Sequence, residues 1–137
     1  MKRVKVVAAL IASQSGEEPS FLVQQRPANK SRGNLWEFPG GKVEAGESDA
    51  AALKRECHEE LAVELNVGAQ LWSTVHEYAD LTVELVLYSG TIVAGDPKPL
   101  GAQALRFCTP AQMMTLPFCE ADLPLLEALS AGRVAWQ

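Results

Sequence analysis

The sequence predicts a single α/β domain built around a mixed sheet. A length of 137 residues is enough for one domain with a sizeable core. Hydrophobic residues make up 47% and charged residues 21%, which is ordinary globular usage and argues against a disordered or coiled-coil chain. Strand-like segments outnumber helix-like ones, and the helices are interspersed among them. Since no repeat or linker interrupts the pattern, we expect residues 1–137 to form one domain.

Strand-like runs dominate the first part of the chain. Residues 4–13 are apolar and β-branched, and they end before the turn-like residues 16–19. Residues 21–26 form a second run, which predicts a hairpin with the first. After a polar loop, residues 35–38 are typical of a short strand, and the Pro39-Gly40-Gly41 sequence then predicts a break.

The pattern changes to helical spacing at Ser48, which is a typical N-cap and is followed by Asp49 in the first turn. The apolar residues of this helix recur on one face and lie opposite an acidic face. They are Ala52, Leu53, Cys57 and Leu61.

The second half of the chain is predicted to form strands followed by two helices. The strands are expected at residues 71–78, 81–93 and 104–108. Thr109-Pro110 is expected to open a short helix. A terminal helix is predicted over residues 123–131, with Asp122 as its N-cap and Gly132 near its end.

Charge and cysteine usage limit the classes of function. The net charge of -5 argues against a broad electrostatic surface for nucleic acid or for an anionic membrane. Cys57, Cys108 and Cys119 are isolated from one another, so neither a zinc site nor a disulfide framework is indicated. No apolar segment is long enough to span a bilayer. We therefore expect a cytoplasmic protein with no stable nucleic-acid complex and no membrane partner.

The most informative feature is an acidic face formed by Glu56, Glu59 and Glu60, at positions i, i+3 and i+4 of the predicted helix. Like charges at this spacing repel by a few tenths of a kcal/mol per pair. Oxygen-only ligands suit a hard divalent cation such as Mg²⁺, which in turn implies a phosphate-bearing substrate. The alternative is a solvated acidic face on which Arg55 pairs with Glu59.

Two neighbouring features favour the metal site. Gly40 and Gly41 can bring bare backbone close to a cation, because they carry no side chain. Glu47 and Arg55 form an opposite-charge pair that can tie the preceding loop to the helix. Such support holds ligating carboxylates in place.

The spacing G-x5-E-x7-R-E-U-x-E-E-x-G-U, in which U is apolar, resembles the Nudix box of the nucleoside-diphosphate-linked hydrolases. It is filled by Gly41, Glu47, Arg55, Glu56, Cys57, Glu59, Glu60 and Val63. Ala62 departs from the pattern, because it stands where the family has a helix-ending glycine. The segments around Trp36 and Arg26 are similar to the MutT-type branch. The resemblance implies an α/β/α sandwich with a mixed central sheet and the box helix on its flank.

The resemblance also implies the reaction. A nucleoside triphosphate would be hydrolysed to a monophosphate and pyrophosphate with Mg²⁺, for which Mn²⁺ can substitute. By the same resemblance, Glu56 and Glu59 are catalytic, and the metal ligands are Glu56, Glu59, Glu60 and the carbonyl of Gly40. The substrate-binding residues implied are Arg26 and Lys42 for the phosphates and Phe38 and Asp122 for the base. Asp122 remains equally suited to a helix cap.

The general base has two candidate sources. MutT-type enzymes also use a glutamate from the loop before the last strand, but residues 97–103 hold no acid near the expected position at Gly101. We therefore favour Glu56 as both ligand and base. The alternative is an acid from elsewhere, of which Glu77, Glu84 and Asp96 are candidates. For stacking on the base, Trp36, Tyr78 and Phe107 are candidates, although such residues more often pack in the core.

The resemblance leaves several substrates open. The first expectation is 8-oxo-dGTP, followed by CTP or dCTP and then by triphosphate-ended RNA, which the acidic chain disfavours. The non-enzyme alternative is an inactive Nudix fold that binds a ligand. Small proteins of this family occur as monomers and as homodimers, and both remain expected here.

Overall fold

The computed structural model describes residues 2–13, 16 and 18–136. In chain order the elements are β1 (Arg3–Ile11), β2 (Phe21–Gln25), β3 (Trp36–Glu37), β4 (Gly40–Lys42), α1 (Asp49–Leu61), β5 (Glu64–Glu77), β6 (Thr82–Ala94), β7 (Ala104–Cys108), α2 (Pro110–Met113), a 3₁₀ segment (Glu120–Asp122) and α3 (Leu123–Ser130). Within the described residues, no helix is both long enough and apolar enough to cross a membrane.

The strands form two sheets. The larger sheet has the order β4-β1-β6-β5, in which β1 and β6 are parallel and the other pairs are antiparallel. The smaller sheet has the order β3-β2-β7 and is antiparallel throughout. The predicted α/β class with a mixed sheet is therefore confirmed, and a second sheet is added to it.

β1 lies between two apolar cores. Ala8 and Leu10 face a core that includes Leu125 of α3, whereas Val7 and Ala9 face a core that includes Leu53 of α1, with other residues on each side. Successive strand residues point to opposite faces. The apolar run of β1 is therefore explained by burial on both faces, with a helix on each side, as an α/β/α sandwich requires.

The predicted hairpin of the first two strands is wrong. β1 and β2 lie in different sheets and are joined by a single antiparallel bridge, Ala12 with Phe21. The partners of β1 are instead β4, which is antiparallel to it, and β6, which is parallel, one along each edge of the strand. The turn predicted at residues 16–19 includes Glu17, which lies outside the described residues.

The predicted break after the short strand is confirmed, because β3 ends at Glu37 in the smaller sheet and β4 begins at Gly40 in the larger one. Gly40 has a φ of 154° and pairs with Ala8, and any side chain on it would overlap the carbonyl of Val7. Glycine is required here because the two strands approach so closely. The two glycines thus end one strand and begin the next, which the sequence did not predict.

The remaining elements agree more closely with the bounds predicted from the sequence. β5 begins at Glu64, earlier than the predicted start at residue 71, and β-bulges interrupt its pairing with β6 between Glu64 and Trp72. Bulges disturb the alternation of apolar and polar residues on which the prediction depended. α1 begins as predicted, since the Ser48 side chain accepts a hydrogen bond from the Ala51 amide at 3.1 Å.

Candidate active site

A cleft of about 470 Å³ lies against the larger sheet and holds most of the predicted site residues. Its acidic part contains Glu37, Glu56 and Glu60, next to the backbone of β4. Its apolar part is formed by residues of β1 and β6 and of the segment before β6. These residues are Val4, Val6, Ala8, Leu81, Val83 and Leu85. The cleft therefore offers a charged surface and an apolar surface to one ligand.

α1 places two of its three acidic residues in the cleft. Cys57 and Leu61 are buried in the core, and this fixes the rotation of the helix about its axis. Glu56 and Glu60 then face the cleft, with partly buried side chains. Glu59 does not line the cleft, and its side chain is 58% exposed. The structure thus brings together two of the acids that the motif places on one face.

Arg55 connects the loop after β4 to the acidic face of α1. Its Nε donates to Glu47 Oε2 at 2.7 Å and its Nη2 donates to Glu47 Oε1 at 2.9 Å, which is a two-point contact. Its Nη1 donates to Glu56 Oε1 at 2.9 Å, and its Nη2 also donates to the carbonyl of Lys42 at 3.1 Å. Hydrogen bonding from Arg55 lowers the pKa of Glu47 to about 2. The guanidinium therefore orients Glu56 from one side.

Glycine backbone packs directly against both acids in the cleft. A side chain on Gly41 would overlap the carboxylate of Glu56. A Cβ on Gly101 would lie 2.8 Å from Cγ of Glu60, and the Gly101 amide donates to the carbonyl of Glu60 at 3.2 Å. The loop before β7 thus reaches the site at the expected place. The loop itself contributes no carboxylate, because residues 97–103 contain no Asp or Glu.

The acidic part of the cleft raises the pKa of its own carboxyls. Burial, followed by the charges of Glu56 and Glu37, raises the pKa of Glu60 to about 7. Burial also raises the pKa of Glu56, while Arg55 opposes this effect. Carboxyls that disfavour one another's ionisation are stabilised in the ionised form by a cation. The oxygen-only donor set and the adjacent bare backbone fit a hard divalent ion.

The acidic side chains of the predicted site do not converge on one metal position in this structure. Within the part of the chain that the structure describes, no group of three His, Cys, Asp or Glu side chains is arranged to hold an ion. Glu59 lies instead near Arg55, with Oε2 at 3.5 Å from Nη1. Gly40 lines the cleft close to Glu56. Glu56 and Glu60 therefore line one cleft together with Gly40, and no other pair of the predicted ligand residues with acidic side chains does so.

Glu37 is a site residue that the sequence analysis missed. It accepts hydrogen bonds from Gln24 Nε2 at 3.1 Å and from Arg26 Nη1 at 3.2 Å, and burial raises its pKa. Gln24 is buried and also opposes the rise in the pKa of Glu60, so it lies near both acids. The sequence does carry a signal for this position, namely the alternation of residues in the short strand. Trp36 and Phe38 are both core residues, so Glu37 between them points to the opposite side.

The two predicted phosphate ligands differ in their surroundings. Arg26 lines the cleft, but Glu37 occupies its Nη1 and the carbonyl of Ser31 accepts from its Nε at 2.9 Å. Lys42 is exposed at the cleft, and its side chain forms no ion pair among the described residues. Lys42 is therefore free to meet an anion, whereas Arg26 is held by Glu37.

Asp122 occupies the predicted N-cap position of α3, but its side chain does not cap the helix. Its φ of -87° and ψ of -14° are helical, since the 3₁₀ segment runs directly into α3, and its side chain makes no capping hydrogen bond. The carboxyl instead lines the cleft, is 5% exposed, and has no hydrogen-bond partner among the described residues. Burial, followed by the charge of Glu37, raises its pKa well above the usual value.

The aromatic residues considered for stacking on the base differ in where they lie. Tyr78 lines the cleft, Trp36 is buried in the core, and Phe107 is 42% exposed on β7 outside the cleft. Phe38 lines the cleft and packs against Phe118, with ring centroids 5.9 Å apart. Asp122, Phe38 and Tyr78 therefore surround the apolar part of the cleft.

Comparisons with known proteins identify the family of this chain. The NUDIX domain family matches residues 7–128. A CTP pyrophosphohydrolase of Escherichia coli (strain K12) is 39% identical over 135 residues, which are 98% of this chain and 97% of that protein. A putative 8-oxo-dGTP diphosphatase 2 of Mycobacterium tuberculosis (strain ATCC 25618 / H37Rv) is 36% identical over 106 residues, which are 75% of this chain and 74% of that protein.

A solved structure shows the same fold at lower identity. The MutT protein of Methanosarcina mazei Go1 superposes with a TM-score of 0.82 at 21% identity, over 96% of this chain and 95% of that one. The family match covers both the acidic face of α1 and the glycines of β4. The chain therefore belongs to the NUDIX domain family and is a Nudix hydrolase.

Proposed function

We propose that this enzyme hydrolyses a nucleoside triphosphate to a nucleoside monophosphate and pyrophosphate, with Mg²⁺ as cofactor and Mn²⁺ as a substitute. The observation that carries the proposal is that Glu56, Glu60 and Asp122 line one cleft. The first two suit a metal-bound phosphate chain, and the third is a buried, unpaired carboxyl suited to a base. A volume of about 470 Å³ also lies within the range of roughly 300–1,000 Å³ usual for small-molecule sites.

Each residue has a defined part in the proposed reaction. A bound divalent ion neutralises phosphate charge and acidifies a water molecule. Glu56, Glu60 and the Gly40 carbonyl would hold it, and Glu59 joins them after a rotamer change. Glu56 takes the proton of the water that attacks the β-phosphorus, while Arg55 holds its carboxylate in position. Lys42 and Arg26 bind the phosphate oxygens.

We infer that cytosine is the preferred base, ahead of the 8-oxoguanine that the sequence alone placed first. A neutral carboxyl presents one O–H donor and one carbonyl acceptor. Cytosine offers the matching acceptor and amine, whereas guanine offers two adjacent donors that match an ionised carboxylate. The raised pKa of Asp122 favours the neutral form. The similarity over nearly the whole chain to a CTP pyrophosphohydrolase supports the same choice.

Hydrolysis of 8-oxo-dGTP remains the second candidate. It is supported by the similarity to a protein described as a putative 8-oxo-dGTP diphosphatase. Three free, buried cysteines and the net charge of -5 are in keeping with an enzyme that acts on free nucleotides in a reducing cytoplasm.

Substitution of Asp122 separates the two bases. An amide also presents a donor beside an acceptor, so Asp122→Asn should retain kcat/KM for CTP and dCTP within about tenfold. Asp122→Leu should lose about 10- to 100-fold, since the base then loses its polar partner. For 8-oxo-dGTP bound to an ionised carboxylate, both variants should lose activity.

The measurement is kcat/KM for CTP, dCTP, 8-oxo-dGTP and dGTP, from pyrophosphate release with Mg²⁺ and with chelator. A higher value for 8-oxo-dGTP than for dCTP would reject the preference for cytosine. Absence of metal-dependent release from every nucleotide would reject the proposed function itself.

A further inference from the structure

The Tyr78 hydroxyl joins the larger sheet to the segment that carries Asp122. Tyr78 directly follows β5, and its hydroxyl accepts a hydrogen bond from the Ala121 amide at 3.0 Å. Ala121 is the middle residue of the 3₁₀ segment, and Asp122 is the next residue of the chain. The hydroxyl therefore fixes the backbone one residue away from the carboxyl that we propose binds the base.

The Ala121 amide requires an acceptor from outside its own segment. The first amides of a helix have no acceptor within that helix. Ala121 is also 6% exposed, so its N–H is largely withdrawn from solvent, where an unpaired donor is costly. The Tyr78 hydroxyl meets this requirement from the larger sheet.

The smaller sheet holds the same segment from the other side. The Cys119 amide donates to the carbonyl of Trp36 at 3.0 Å, and the Trp36 amide donates to the carbonyl of Pro117 at 2.8 Å. A 3₁₀ segment of three residues has few hydrogen bonds of its own. Its position is therefore set by contacts with the two sheets, of which the bond to Tyr78 is one.

A second side chain of β5 reaches the segment but is more exposed. His76 Nε2 lies 3.1 Å from Glu120 Oε2, and the Glu120 side chain is 67% exposed. Exposed pairs of this kind contribute little. The bond from Ala121 to Tyr78 is partly buried and involves the backbone itself. Tyr78 is therefore the stronger of the two contacts.

The ring of Tyr78 is held in place independently of the 3₁₀ segment. The guanidinium carbon of Arg32 lies 3.9 Å from its centroid, and the ring of His76 lies against it with centroids 4.6 Å apart. The Tyr78 amide also donates to the carbonyl of Leu81 at 2.8 Å. The hydroxyl thus offers the segment a fixed acceptor.

The Asp122 carboxyl depends on such a fixed backbone. It lines the cleft and makes no hydrogen bond within the part of the chain that the structure describes. Since no side-chain partner orients it, its place in the cleft follows from the position of its own backbone. A shift of the 3₁₀ segment would therefore move the carboxyl relative to a bound base.

We propose that Tyr78 is a positioning residue for base recognition, whose hydroxyl holds the backbone at Ala121 and thereby sets the place of the Asp122 carboxyl in the cleft. This inference rests on the proposed function and deepens it, because it assigns part of the recognition of the base to a group that acts through Asp122. The role is the same for cytosine and for 8-oxoguanine.

Tyr78→Phe tests this role, because it removes the hydroxyl and retains the ring. With Mg²⁺ present, this variant should bind CMP and 8-oxo-dGMP at least about fivefold more weakly by isothermal titration calorimetry, as expected for the loss of one hydrogen bond that orients the contact. Its affinity for pyrophosphate should not change. In turnover of CTP, KM should rise more than kcat falls, since the base contact is present before the reaction.

Tyr88→Phe is the matched control. The Tyr88 hydroxyl also makes one side-chain hydrogen bond, to Asp49 Oδ2 at 2.6 Å, but Tyr88 lies on β6 outside the cleft. This variant should bind the monophosphates and pyrophosphate as the unsubstituted enzyme does. Urea unfolding defines the conditions under which each variant is fully folded, and binding is compared there.

A double-mutant cycle tests whether Tyr78 acts through Asp122. Asp122→Leu alone removes the carboxyl, so adding Tyr78→Phe should then weaken CMP binding by less than about twofold. Groups that act independently would instead give losses that multiply. A multiplied loss in the double variant would show that Tyr78 does not act by positioning Asp122 and would overturn the proposal.

The remaining outcomes separate this role from the proposed function. Unchanged affinity of Tyr78→Phe for both monophosphates would overturn the proposal, as would an equal loss of affinity for pyrophosphate or an equal loss in Tyr88→Phe. A lack of turnover by the unsubstituted enzyme would instead count against the proposed function. In that case weaker binding of the monophosphates by Tyr78→Phe alone would still support the positioning role.

Discussion

At the scale of single residues, the chemistry depends on how the structure distinguishes the three glutamates of α1. Glu56 and Glu60 line the cleft, whereas Glu59 points toward solvent and Arg55. The proposed function places the proton chemistry on Glu56, because residues 97–103 contain no acid. Glu37 adds a carboxylate to the cleft, but Arg26 and Gln24 already hold it.

Glu56→Gln should lower kcat by at least about 100-fold, since loss of a general base typically costs 10²- to 10⁴-fold. Glu59→Gln should lower kcat less, because its side chain is 58% exposed and outside the cleft. Pyrophosphate release at saturating Mg²⁺ and nucleotide measures both effects. Glu127→Gln, at an exposed position of α3, is the control. Near-normal turnover by Glu56→Gln would show that another group is the base.

At the scale of elements, the C-terminal end of α1 carries backbone strain at Ala62, where the family pattern has glycine. Ala62 has a φ of 59° and a ψ of 37°, so it adopts the left-handed conformation that the family pattern provides with glycine. Its amide donates to the carbonyl of His58 at 3.1 Å, which closes the last turn of the helix. The helix end therefore retains its geometry without the residue that favours it.

Ala62→Gly should raise the free energy of unfolding by about 1 kcal/mol, because glycine relieves the left-handed strain. Ala51→Gly is the matched control, at an exposed position within α1. It should lower stability by about 0.5–1 kcal/mol through the poorer helix propensity of glycine. Urea unfolding monitored by circular dichroism gives both values. A lower free energy of unfolding for Ala62→Gly would contradict the inference that the backbone of Ala62 is strained.

At the scale of the whole molecule, the acidic part of the cleft couples folding to pH and to metal. Glu60 has a pKa of about 7 in the folded chain, above the ordinary glutamate value of 4.5. Between these two values the folded state binds more protons than the unfolded state. The contribution of Glu60 to stability is therefore present at low pH and is lost as pH rises through about 7.

Glu60→Gln should remove this dependence. With chelator present, the free energy of unfolding of the unsubstituted chain should fall relative to that of Glu60→Gln between pH 5 and pH 8, as expected from the linkage of about 1.4 kcal/mol per pKa unit reduced by partial exposure. Glu127→Gln, which changes an exposed carboxylate, should follow the unsubstituted chain. Parallel curves for the unsubstituted chain and Glu60→Gln would contradict the raised pKa.

Local patterns in the sequence determined α1, its Ser48 cap, the acids on its outer face and the family to which they belong. These features depend on residues within a few turns of one another, so spacing alone specifies them. The glycines of β4 were noticed for the same reason, although their place in a strand was not. The mixed α/β class followed from the order of strand-like and helix-like segments along the chain.

Only the tertiary structure decided which strands pair and which polar residues meet. β1 is apolar on both faces, so alternation could not distinguish β2 from β4 and β6 as its partners. Glu37, Arg32 and Asp122 belong to different segments of the chain and line one cleft only because the two sheets and the 3₁₀ segment enclose it. Among the described residues, the Asp122 carboxyl and the Arg32 Nε are buried there without a hydrogen-bond partner. The sequence therefore determined the reaction class, and long-range packing determined the surfaces proposed to select its base.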